Sequence, residues 1–166
     1  MIDGVVRALR EPVVGIVPGV DYAVENPATS PSLTARFDAD DPSNKARCKT
    51  TLLAELGLEI SPDRPLFVAL GPLTEELGGD ALAAAGPRLL KQDLSLLCAS
   101  RSRARGSEEA MKGAIERAPE RAKLVVDPSD AEVQRWRAAA DFVLIPSRYE
   151  PGGTLHARAQ RFGAIP

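Results

Sequence analysis

The run Asp-Phe-Val-Leu-Ile-Pro-Ser-Arg-Tyr-Glu-Pro-Gly-Gly-Thr-Leu-His-Ala-Arg-Ala-Gln-Arg-Phe-Gly, residues 141–163, decides the fold. Phe142 to Ile145 is short and wholly apolar, the pattern of a strand buried on both faces of a parallel sheet. Pro146 ends it. Residues 147–153 read as a loop in which Glu150 is the single acid. Gly152 and Gly153 let the backbone approach a ligand closely. Thr154 predicts the cap of a helix running to about Phe162, with Gly163 as its stop. A strand, a glycine loop and a helix start bring free amides and the positive end of a helix dipole to one place, which favours an anion. An ordinary strand-to-helix turn would need the same glycines for geometry alone.

Working upstream, the same unit repeats in kind. Strands are expected at 66–70, 94–98, 124–126 and 142–145. Helices are expected at 80–91, 107–118, 129–140 and 154–162, with Gly86-Pro87 kinking or interrupting the first of these. Ser129 and Glu132 form a capping box, and Ser107 caps the helix that follows it. Asp41-Pro42 starts a further helix, whose stripe is Cys48, Leu52, Leu53 and Leu56 and whose stop is Gly57. Alternating strands and helices predict an α/β fold: a Rossmann-like parallel sheet with helices on both faces, over residues 42–166. Residues 1–41 are rich in Pro, Gly and Asp and predict an extended arm packed on that core, with a short strand at Val13 to Val17. Ligands of such sheets bind at the C-terminal ends of the strands. The candidate loops are therefore 71–79, 99–106, 127–129 and 147–153.

Bulk composition closes off several classes. The 166 residues carry a net charge of −2 and 4% aromatics, so neither phosphate steering nor base stacking supports a nucleic-acid partner. No apolar run approaches membrane-spanning length, and the N-terminus lacks a signal-peptide pattern; no membrane partner and a cytoplasmic location are expected. Cys48 and Cys98 sit in apolar surroundings and read as core residues of a reducing compartment. His156 is the sole histidine and has no metal-ligand spacing around it, so no metal is expected. Gly-x-Gly-x-x-Gly and Walker loops are absent, which leaves no cofactor indicated.

Several stretches resemble bacterial glycogen synthases and plant starch synthases. Ser147-Arg148-Tyr149-Glu150-Pro151, followed by its glycine loop, is similar to a segment of that family. So are Gly19-Val20-Asp21-Tyr22, Asn26-Pro27-Ala28-Thr29 and Leu33 to Asp38, in the family's order and spacing, and Leu56-Gly57-Leu58 at a helix end. The resemblance covers nearly the whole chain. It implies the C-terminal, nucleotide-sugar-binding half of a GT-B glycosyltransferase, which transfers glucose from ADP-glucose to an α-1,4-glucan with retention and without metal. Glu150 matches the acid that contacts the transferred sugar, and Gly152, Gly153, Thr154 and Thr74 fall in ligand-facing loops. ADP-glucose, ADP or glucan are the implied ligands.

The same comparison shows departures at the ligand-facing loops. In residues 71–78, which resemble a Ser-Arg-Leu-Thr-x-Gln-Lys-Gly loop, the Arg and Lys that neutralise the leaving diphosphate are Pro72 and Leu77. The glycine-rich phosphate loop after the next strand reads Ala99-Ser100-Arg101. The base-stacking aromatic falls at Pro128, and a Thr-Gln pair becomes Leu155-His156. Arg101, Arg103 and Arg105 could meet phosphate, although loop arginines are more often simply exposed. His156 and Glu150 could meet across the loop. The expectation is a glycosyltransferase-like domain that is catalytically inactive and acts as a binding or interaction module, with a protein partner. The alternatives are the donor-binding half of a working synthase completed by another domain or chain, and a Rossmann-like domain with a different ligand.

Overall fold

A computed structural model describes residues 2–9, 11–100 and 105–166, with only the backbone of Ile2, Asp3 and Arg105. Arg101 and Arg103, two of the candidate phosphate-facing arginines, lie outside the described residues, as does the side chain of Arg105.

Four strands, β1 (Leu66–Ala69), β2 (Ser95–Ser100), β3 (Ala122–Val126) and β4 (Phe142–Leu144), form one parallel sheet in the order β3-β2-β1-β4. Among the described residues, six helices accompany them: α1 (Ile2–Arg7), α2 (Asn44–Glu55), α3 (Gly79–Leu89), α4 (Arg105–Ile115), α5 (Asp130–Ala139) and α6 (Thr154–Arg161). The strands are mostly apolar, with Ser95, Ser100 and Lys123 as the exceptions, because successive side chains point to opposite faces and both faces are covered. Leu66, Val68, Leu97 and Val143 join Leu52, Leu53, Trp136 and Ala159 from α2, α5 and α6. Leu96, Cys98 and Ala69 join Leu82, Met111 and Ala114 from α3 and α4 on the other face. The expected Rossmann-like architecture is the observed one. Cys48 and Cys98 are both free and buried, and burial pushes the Cys98 thiol up to about 12.

Local chemistry explains where elements begin and end. Ser129 caps α5 through a complete capping box, its hydroxyl accepting from the Glu132 amide while the Glu132 carboxylate accepts from the Ser129 amide. Pro87 sits inside α3 without interrupting it. It falls in the last turn, where one lost bond matters little, and the Leu90 amide still reaches the Gly86 carbonyl at 3.0 Å. Gly86 brings α3 close to α4: a Cβ there would lie 3.3 Å from Ala114 Cβ. Ser43 rather than Asp41 is the cap residue of α2; Asp41 instead accepts from the Ser43 amide in a side-chain turn. The helix after β2 begins at Arg105, so Ser107 lies in its first turn.

Residues before 42 divide into two parts. Ile2–Arg7 is helical, which an all-extended reading does not anticipate, and Val13 to Val17 forms no strand and is exposed. From Asp21 onward the chain is held to the core. Leu33, Ala35 and Phe37 pack with Cys48, Ala138 and Phe162. Buried Glu25 meets Arg137 at 3.0 Å, and Arg158 approaches it at 3.5 Å.

Candidate functional site

In a sheet ordered β3-β2-β1-β4, the chain leaves β1 and β4 in opposite directions. The crevice at their C-terminal ends is the topological switch point, where ligands of open α/β sheets sit. Residues 70–79 follow β1 and residues 145–153 follow β4, so both sequence-chosen loops meet there. They are fastened together. The amides of Arg148 and Tyr149 donate to the Glu76 carbonyl at 3.0 and 3.3 Å. The Arg148 guanidinium grips Asp80, at the start of α3, with 2.6 and 2.9 Å bonds and also reaches the Glu75 carbonyl at 2.6 Å. Asp80 is held down to about 2, chiefly by that guanidinium. Gly78, with φ +72°, lies so near the β4 loop that a Cβ would fall 2.1 Å from the Pro146 carbonyl oxygen.

Pro72 and Leu77 stand at this crevice together with Leu73, Ile145, Pro146 and Leu155, around a void of about 20 Å³. That is room for about one water. A nucleotide-sized ligand would have to lie over the loops rather than inside this gap. The Thr74 hydroxyl bonds the Glu76 carboxylate, which its own backbone amide and Thr74 hold below the usual range.

The loop after β4 uses its groups on itself. Gly152 and Gly153 have φ +130° and +56°, a conformation that disfavours any side chain. Gly153, rather than Thr154, is the cap residue of α6, and Thr154 is its first residue. The capping oxygen comes from further back: Glu150 Oε1 accepts from the Leu155 amide at 3.0 Å. A carboxylate there complements both the free amide and the helix dipole. The His156 ring stands over Gly153, with Cε1 2.7 Å from where a Cβ would be, while Pro18 from the N-terminal segment stands over Gly152. Glu150 and His156 therefore both turn toward the α6 start, each to a different backbone group.

The remaining loop positions are occupied from within. Ser100, fully buried at the end of β2, donates to Glu108 of α4. Pro128, where the resemblance implies a base-stacking aromatic, is buried. Arg148 and Asp80, which join the two loops, were not among the sequence candidates. Arg148 stands inside the Ser-Arg-Tyr-Glu-Pro motif, but nothing in the sequence pairs it with a residue 68 positions earlier.

The fold and this crevice define the class: a Rossmann-like domain of the GT-B glycosyltransferase kind. Sequence comparison supplies relatives of the same kind over part of their length. The chain is 38% identical over 165 residues to glycogen synthase of Anaeromyxobacter sp. (strain Fw109-5) and 34% identical over 165 residues to glycogen synthase of Kosmotoga olearia; each match covers 99% of this chain and 34% of the relative. A solved structure, the catalytic domain of starch synthase IV from Arabidopsis thaliana bound to ADP and acarbose, superposes with a TM-score of 0.84 at 29% identity, over 92% of this chain and 32% of that one. No protein-family model matches. The chain is similar to part of these glycogen synthases and of the starch synthase catalytic domain, and it spans about a third of the length of the curated relatives it matches.

Proposed function

We propose that this chain, by itself, does not transfer glucose and acts as a binding or interaction module built on a glycogen synthase-like domain. One observation carries the reading: at the crevice between the β1 and β4 loops, Pro72 and Leu77 line an apolar gap where a departing diphosphate would need fixed cations. Removing one preorganised donor from a developing anion costs about a hundredfold to a thousandfold in rate. Arg148, the described cation of these two loops, is already bound in a two-pronged pair with Asp80.

The ligand class that fits this reading is a nucleotide sugar, its nucleotide, or a glucan lying over residues 71–79 and 147–154. Glu150 and the amides of Gly152, Gly153 and Thr154 would face sugar hydroxyls or phosphate. The starch synthase structure that this chain resembles holds ADP and acarbose. No metal or cofactor enters this reading, and a cytoplasmic location accords with it.

A second reading, the donor-binding half of a working synthase, is favoured by the chain's match to about a third of the length of its relatives. Incorporation of labelled glucose from ADP-glucose into glycogen separates the two. The chain alone is expected to give none, and adding the acceptor-side domain of a relative is expected to leave it inactive. Turnover above a Glu150→Ala control in either mixture overturns the inactive reading. Partial turnover only in the Pro72→Arg, Leu77→Lys double variant would support it.

A further inference from the structure

We propose that residues 13–17 of one copy of this chain add as a further strand to the β3 edge of a second copy. Among the described residues, both halves of that contact stand open.

In the order β3-β2-β1-β4, β3 has a neighbouring strand on one side alone. The Arg121 carbonyl accepts from the Leu96 amide, and the Asp127 amide donates to the Ser100 carbonyl, so odd-numbered residues bond β2. Ala122, Leu124 and Val126 therefore turn their backbone groups to the open side. The Ala122 amide is taken by the Ala118 carbonyl at 3.0 Å. Among the described residues, the amides and carbonyls of Leu124 and Val126 have no partner. Such an edge is a template for another strand, and a lysine on it normally discourages pairing. Here Lys123 is engaged elsewhere, its Nζ donating to the Leu56 carbonyl at 2.6 Å. Beside the edge lies a groove of about 390 Å³, bordered by Leu56 and Gly57 after α2 and by Lys112 and Ile115 of α4. Leu56 packs on one core face and Ile115 on the other, so an added strand would be covered on both faces.

The strand that suits such a slot is apolar throughout. Val13-Val14-Gly15-Ile16-Val17 is that, with four β-branched residues in five. Its four large side chains are between 61% and 90% exposed, and its backbone makes no hydrogen bond among the described residues. Pro12 and Pro18 bracket it, as Pro119 and Pro128 bracket β3, and both stretches are five residues long. Pro18 also favours an extended Val17. The segment cannot serve its own β3. Pro18 stands over Gly152 in the loop after β4, at the opposite side of the sheet. Three strand spacings, roughly 14 Å, separate the two edges, and Val17 adjoins Pro18. The occupant is therefore a second copy. Reciprocal exchange closes as a dimer, whereas one-way addition runs on as a ladder.

The test is sedimentation velocity of the whole chain over a concentration series, with amide exchange at low and high concentration. Association is expected, as a dimer or a ladder, with the amides of 13–17, Leu124 and Val126 gaining protection together. Ile16→Asp alters a side chain that is 90% exposed in the single chain and should weaken association about tenfold or more. Val126→Pro removes one outward amide and no bond to β2, and should weaken it about threefold to tenfold. A peptide of residues 11–19 added to the Ile16→Asp chain should shift the Leu124 and Val126 amides. Neither β3 nor residues 13–17 line the β1–β4 crevice, so these outcomes do not depend on turnover there. A monomer at every concentration would overturn the proposal. So would association weakened by Ile16→Asp but not by Val126→Pro, which marks an apolar segment adhering elsewhere. Protection of 13–17 only on adding the acceptor-side domain of a relative would assign the segment to that domain and overturn it as well.

Discussion

Arg148 and Asp80, 68 residues apart in sequence, form a two-pronged ion pair at 2.6 and 2.9 Å that ties the β4 loop to the start of α3. Both side chains are about half exposed, so the pair contributes order more than stability. Asp80→Asn is expected to leave the melting temperature nearly unchanged while amide exchange at Arg148 and Tyr149 accelerates. The sign of the acid response follows from the lowered carboxyl. Asp80 titrates near 2 in the fold against 3.8 for a free carboxyl, so its contribution is present above about pH 4 and fades as pH falls toward 2. Exchange measured across that window should show the loops loosening at the acid end. Unchanged exchange in the variant would exclude the fastening role.

Glu25 is expected to be the most costly acid to remove. It is buried against Arg137, with Arg158 nearby. Desolvation already pushes the Arg137 guanidinium below its ordinary value, with Glu25 opposing that shift. Glu25→Ala strands a buried cation and should cost about 3–5 kcal/mol in urea unfolding. Adding Arg137→Met to it should recover part of the loss, a coupling that independent sites would not show.

For Glu150 the expected signature is local. Glu150→Gln keeps an oxygen for the Leu155 amide and should leave α6 intact, whereas Glu150→Ala should fray its first turn at a cost of about 0.5–2 kcal/mol. Amide protection at Leu155 and His156 reads the difference. Equal protection in both variants would show that the carboxylate does not cap the helix.

Gly78→Ala should be poorly tolerated. Its φ of +72° disfavours a side chain, and the added Cβ would strike the Pro146 carbonyl. A loss of about 2–5 kcal/mol is expected from strain and overpacking together. Gly113→Ala, in α4 where a Cβ meets nothing within 4 Å, should be neutral or slightly stabilising in the same unfolding assay.

Much of the architecture was legible from residue order because it rests on local rules. Apolar runs such as Phe142 to Ile145 favour a strand covered by helices on both faces. Ser129 and Glu132 cap a helix through atoms three residues apart. The Gly152-Gly153 pair announces a turn with positive φ. The resemblance of residues 71–78 to a Ser-Arg-Leu-Thr-x-Gln-Lys-Gly loop singles out Pro72 and Leu77 as uncharged positions.

What the tertiary structure alone decided involves partners distant in sequence or conformations that several residue types could adopt. Thr154 is a good cap by type, yet Gly153 takes that position because only it adopts φ +56° readily, and Glu150 supplies the oxygen from outside the helix. Val13 to Val17 has strand-forming residues but, among the described residues, no neighbouring strand to donate hydrogen bonds, so it stays irregular. Pairing of Arg148 with Asp80, Glu25 with Arg137, and Lys45 with two helix carbonyls depends on where the sheet order brings their elements. A sequence names which groups carry charge; the packing of distant segments decides which of those charges are spent on each other.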